Sequence, residues 1–258
     1  MTRAELGGIH TLKPEVEAIV AAAESAGGKP IDFRLDDTLA TAARTTIATG
    51  RAKASLVVLN PARTEVLDLT IARECGVIAR VLSAPPGDRR VARTSAAARV
   101  IARDQLGPET TALAPAVREE KLAGWIDAFV LRLTTLPTRI SVESALYWEY
   151  PALHEDQARA LGAEAQELAR DVAAEGDTPP SMVRMRAMLT YTFFRTAAPN
   201  ISRKWTTGPA FPRVAVSMGQ RLVKLTEERR PGLAGDIALA DAWADALGVR
   251  NWYEWVPL

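Results

Sequence analysis

The sequence predicts an α+β protein, predominantly helical overall, in which a small α/β lobe precedes a mainly α-helical bundle. Three observations predict it. The two β-like runs, PIDFRL at 30–35 and SLVVLN at 55–60, both lie within the first quarter of the chain, among segments of helical periodicity. From residue 116 onward apolar residues recur at helical spacing almost throughout, with proline or glycine at nearly every junction. Between these regions GPETTALAP at 107–115 has the composition of a linker, which places residues 1–110 in the first lobe and 111–258 in the second.

Taken in order, KPEVEAIVAAAESA at 13–26 sets Val16, Ile19, Val20 and Ala23 on one helical face, and Gly27-Gly28 ends the helix. In PIDFRL the alternation turns Ile31, Phe33 and Leu35 inward, whereas SLVVLN is continuously apolar, as a central strand is. The intervening TLATAARTTIATG fits a short helix or a third strand. Asn60-Pro61 reads as a helix entrance, a capping side chain followed by proline at the first helical position, and opens a helix over 62–82. Along that helix Leu67, Ile71, Cys75, Ile78 and Leu82 follow one another at the spacing of a buried face, until Ser83-Ala-Pro-Pro-Gly87 stops it. A basic segment follows, with Arg89, Arg90, Arg93, Arg99 and Arg103, the last two on a helix expected from Ser95 to Leu106. Beyond the linker about six helices are expected, forming a bundle. VREEKLAGWIDAFVLRLTTL and SVESALYWEY are read as separate helices on account of the proline between them.

Composition narrows the function classes. The chain has 258 residues, 48% hydrophobic and 24% charged, which argues against global disorder. Thirty-two Lys and Arg against 31 Asp and Glu leave a formal charge of +1, so there is no whole-chain field for nucleic acid or an anionic membrane. Cys75 is the only cysteine, which excludes an internal disulfide and any multi-cysteine metal site and suits a reducing cytoplasm. The start lacks the apolar run of about 7–15 residues that marks a signal peptide. No stretch of about 18 uncharged apolar residues exists to span a membrane.

The helix TIARECGVIAR at 70–80 carries the one motif with chemical content. A zinc hydrolase helix of the form H-E-x-x-H holds its metal with two histidines four apart and polarises a water with the glutamate between them. Here those five positions read Arg73-Glu74-Cys75-Gly76-Val77. With strand SLVVLNP leading into it, this helix resembles that of the ImmA/IrrE-type zincins, whose usual text is similar to T-x-A-H-E-x-G-H. Thr70, Ala72, Glu74 and Gly76 match it, while Arg73 and Val77 stand at the two histidine positions. The resemblance covers residues 13–106 and implies a zincin-like first lobe.

The departure has a chemical consequence that does not depend on the family. Zinc takes about three protein ligands with lone pairs. Valine has none, and a guanidinium stays protonated and repels a cation. Between 90 and 110 the only carboxylates available as a further ligand are Asp104 and Glu109. No metal and no cofactor are therefore expected. Arg73 is expected instead either to face solvent or to pair with Glu74 or with a carboxylate from a later helix, replacing the metal as a tie between elements.

Other features read as structure. His154-Glu155-Asp156-Gln157-Ala158 lacks a second histidine and fits a helix start with acidic residues at the positive end of the dipole. With only His10 and His154 in the chain, histidine-based nucleophilic catalysis has few available bases, and Cys75 sits on the buried stripe. Nucleotide-phosphate loops are missing. The carboxylate pairs Glu119-Glu120, Glu164-Glu167 and Glu227-Glu228 have helix-surface spacing. Five of six tryptophans lie beyond residue 140, with NWYEW at 251–255, and are read as caps on the bundle or as a partner surface.

The expected function is that of a catalytically inactive pseudo-metallopeptidase serving as a protein-binding or regulatory scaffold, with the partner and the oligomeric state left open. One alternative is a metal-independent, hydrolase-like enzyme with Glu74 as general base and Arg73 binding an anionic substrate group. Another is a nucleic-acid-binding regulator working through Arg89, Arg90, Arg93, Arg99 and Arg103, with Lys204 and Trp205 adding stacking.

Overall fold

A computed structural model of the protein describes residues 10–63, 66–174, 176–197, 211 and 213–258, and the side chains of these apart from 167–174. The fold is mainly helical α+β with eight helices among the described residues. It divides into two compact units, but not at a single cut near residue 110. The first unit takes residues 1–89 and 141–163, and the second takes 90–140 and 164–258.

In the first unit, α1 (Pro14–Gly27) buries Val16, Ile19, Val20 and Ala23 as its periodicity requires. Gly28 closes it in the left-handed conformation at φ 60°, which glycine adopts without a Cβ clash. A three-stranded sheet follows, of β1 (Ile31–Leu35), β2 (Ala43–Thr46) and β3 (Ser55–Leu59), in the order β1-β3-β2. The continuously apolar β3 is the central strand, parallel to β1 and antiparallel to β2. Of the two readings open for 38–50, the third strand is realised. Ile31 and Phe33 point into the core, but Leu35, at the end of β1, is 37% exposed and not inward.

The helix expected from residue 62 begins five residues later, as α2 (Leu67–Leu82). Pro61–Arg63 makes only a 3-10 turn. Asn60 does cap that turn, its Oδ1 accepting from Ala62 N at 3.0 Å, but its amide also donates to the carbonyls of Asp37 and Leu39 at 3.0 and 2.8 Å. A side chain bound to two segments holds the loop before β2, and so marks a junction, not the start of the long helix. On α2 Leu69, Ile71, Cys75 and Ile78 are fully buried and face α1 and the sheet.

The rest of this unit comes from far along the chain. One helix, α4 (Pro115–Glu149), runs through Pro137 where two helices were expected. Proline removes one backbone donor, at a cost of about 3 kcal/mol in an isolated helix. Apolar burial on either side, at Leu133, Leu136, Ile140 and Val142, offsets this and keeps the helix continuous. From Ser141 on, α4 belongs to the first unit, where Val142 and Leu146 join the core. After a 3-10 turn α5 (His154–Ala174) begins at the acidic start read from the sequence, Glu155 and Asp156 lying in its first turn.

The second unit holds α3 (Ala96–Leu106), α6 (Pro180–Thr196), α7 (Arg213–Glu227), α8 (Gly232–Leu247) and a ribbon of β4 (Arg90–Arg93) and β5 (Glu254–Pro257). Ser95 caps α3, its Oγ accepting from Ala98 N. The stretch read as a linker is part of this unit: Thr110 is buried, and Glu109 accepts a hydrogen bond from Ser181 N at 2.8 Å. The C-terminal aromatics serve as closing elements. Trp252 is buried edge-on to Phe129, with ring centroids 5.7 Å apart, and donates to Gln105 Oε1 at 2.6 Å. Asp241 gathers the hydroxyl of Tyr253, the indole of Trp255 and the guanidinium of Arg250. Of the described tryptophans Trp148 stands out at 68% exposed.

Candidate functional site

The site is the part of α2 that carries Arg73-Glu74-Cys75-Gly76-Val77. Helical geometry sets Arg73, Gly76 and Val77 on one flank, and residues 141–163, the end of α4 and the start of α5, complete the unit. Gly76 explains its own presence in mid-helix. A Cβ built there would lie 2.7 Å from Val142 Cγ1, so its lack of a side chain is what lets α2 and α4 approach. Val77 is partly buried against the hydrophobic core.

Close approach brings Glu143, the residue after Val142, to Arg73. Arg73 Nε lies 2.6 Å from Glu143 Oε1, with the arginine side chain 11% exposed and the glutamate fully buried. Gln157 of α5, also buried, donates its amide to Glu143 Oε2 at 2.7 Å and to the Glu143 carbonyl at 2.8 Å. Three helices thus meet on one buried carboxylate. Glu74, the next residue on α2, turns to the sheet and accepts the hydroxyl hydrogen bond of Thr45 on β2 at 2.5 Å.

Of the three expectations for Arg73, pairing with a carboxylate from a later helix is found, facing solvent is not, and Glu74 turns to Thr45 of the sheet. Neither Asp104 nor Glu109, both in the second unit, supplies that carboxylate. Glu143 is not among the residues expected at the site, although its sequence position carries a signal: it lies on the buried stripe of Leu136 and Ile140, and a charge on an apolar stripe demands a partner. Gln157 carries the same signal on the stripe of Leu153 and Leu161.

A catalytic zinc does not fit these residues. Among those described, no three histidine, cysteine or carboxylate side chains come together as metal donors. The carboxylate that α4 brings to the motif is occupied by a guanidinium, whose charge opposes a cation. Cys75, one residue from Glu74, faces the core, and burial pushes its thiol up to about 12. Burial thus disfavours the thiolate through which a cysteine acts as a nucleophile.

The arginines of the basic segment have different surroundings. Arg89 caps the end of α2, donating to the carbonyls of Leu82 and Ala84 at 2.6 and 2.9 Å. Arg99 pairs with Asp127 at 2.7 Å and Arg103 with Glu119 at 3.2 Å. Arg90 and Arg93 stand exposed on β4. Lys204 and Trp205 lie outside the described residues.

Both histidines have structural partners. His10 Nε2 is 2.6 Å from Asp68 Oδ1, whose other oxygen accepts from Lys13 N at 3.2 Å, so this acid at the head of α2 ties down the entrance to α1. The Lys13 ammonium reaches Asp156 on α5 at 2.5 Å, and that hydrogen bond raises the lysine above its ordinary range. His154 donates to the Tyr147 carbonyl and stacks on the Tyr147 ring at 4.3 Å. Among the carboxylate pairs Glu119 and Glu164 each face an arginine, and the side chain of Glu167 lies outside the described residues.

Among the described residues no helix is long and apolar enough to cross a membrane. Comparison with protein-family models, with curated proteins and with solved structures finds no match to the chain.

Proposed function

We propose that the protein is a non-catalytic binding or regulatory scaffold on a zincin-like first unit of the ImmA/IrrE type, in which a buried ion pair does the structural work of a metal. The observation that carries this reading is the Arg73–Glu143 contact. Arginine takes the first histidine position of the motif, and the carboxylate it holds comes from a later helix, where zincins often draw a third ligand. Such a pair joins α2 to α4 without offering an open coordination position or an activated water.

We assign the partner surface to the β2 edge of the sheet. β2 is an edge strand, Arg44 and Thr46 on it are exposed, and Thr45 links it to Glu74. An edge strand can take an extended peptide as an added strand, and the partner we propose is a protein that presents an extended segment. Arg73, nearly buried and paired, is poorly placed to receive a substrate anion, which weakens the enzyme alternative. The only cysteine is reduced and buried, in keeping with a cytoplasmic setting.

The test has two arms. Metal content is measured by elemental mass spectrometry on protein grown with added zinc, for the natural chain and for the double variant Arg73→His, Val77→His, which supplies two imidazoles beside Glu143. The reading expects substoichiometric zinc in the natural chain and about one zinc in the double variant; stoichiometric zinc in the natural chain overturns the inactive-site assignment. In the second arm a photo-crosslinking residue at Thr46 is expected to capture one discrete protein in the native host, undiminished by Glu74→Gln. No capture removes the β2 assignment. Loss of the biological activity in Glu74→Gln would instead favour a general base, whose contribution is roughly 10²–10⁴-fold.

A further inference from the structure

We draw no further inference here: the strongest candidate, the exposed apolar face of α4 that carries Val117, Gly124, Ala128 and Leu131, has nothing in the structure to show what covers it.

Discussion

Arg73 Nε sits 2.6 Å from Glu143 Oε1, and this contact ties α2 to α4 through a carboxylate with no solvent exposure. Removing one member of a buried pair leaves the other charged and desolvated, which costs about 3–5 kcal/mol. Arg73→Met and Glu143→Leu are each expected to lose stability on that scale in urea denaturation. The double variant is expected to recover most of the loss, because an apolar pair avoids both desolvation costs. Additive losses would show that the two side chains do not depend on each other.

The close approach behind that pair rests on Gly76. A methyl group at this position would lie 2.7 Å from Val142 Cγ1, so Gly76→Ala is expected to destabilise by about 1–3 kcal/mol despite alanine's better helix propensity. Trimming the obstacle in Gly76→Ala, Val142→Ala should leave the pair of variants less destabilised than the sum of the two single ones. Thermal melts of all four proteins measure this, and a stabilising Gly76→Ala would refute the packing argument.

Cys75 makes a chemical prediction. Its thiol is fully buried and pushed from 9.0 up to about 12, so the native protein should resist a thiol reagent at pH 8 and react once unfolded. The sign of the pH effect follows. The folded state favours the neutral thiol, so the contribution is complete below about pH 9 and is lost as pH rises toward about 12. Burial and the Asp241 hydrogen bond raise Tyr253 in the same sense. Denaturation between pH 8 and 11 should therefore show falling stability, with a shallower fall in Cys75→Ala.

The C-terminal residues are expected to be structural. Trp252 fills a buried position against Phe129 and donates to Gln105. Trp252→Ala should cost about 3–5 kcal/mol by cavity formation, and Trp252→Phe less, chiefly by leaving Gln105 Oε1 without its donor. If instead both variants kept their stability and lost a binding partner, the aromatics would be a recognition surface.

Local pattern determined much of this protein. The faces of α1 and α2, the central place of β3, the cap of α3 at Ser95 and the acidic start of α5 follow from side-chain periods and capping chemistry acting within a few residues. The absence of zinc-ligand side chains at residues 73 and 77 was likewise legible, because ligand chemistry belongs to the residue type.

Tertiary structure decided the remainder, and in each case the cause is a partner distant in sequence. Pro137 lies inside α4 because burial on both sides outweighs one lost hydrogen bond. β4 is a strand only because β5, near the other end of the chain, pairs with it, and nothing in RVAR announces that partner. The division into units follows contacts and not linker composition, so GPETTALAP marks no boundary. The identity of Arg73's partner was decided in the same way. Helical spacing puts Glu143 on a buried stripe, but only the approach of α2 and α4 at Gly76 brings the two charges together.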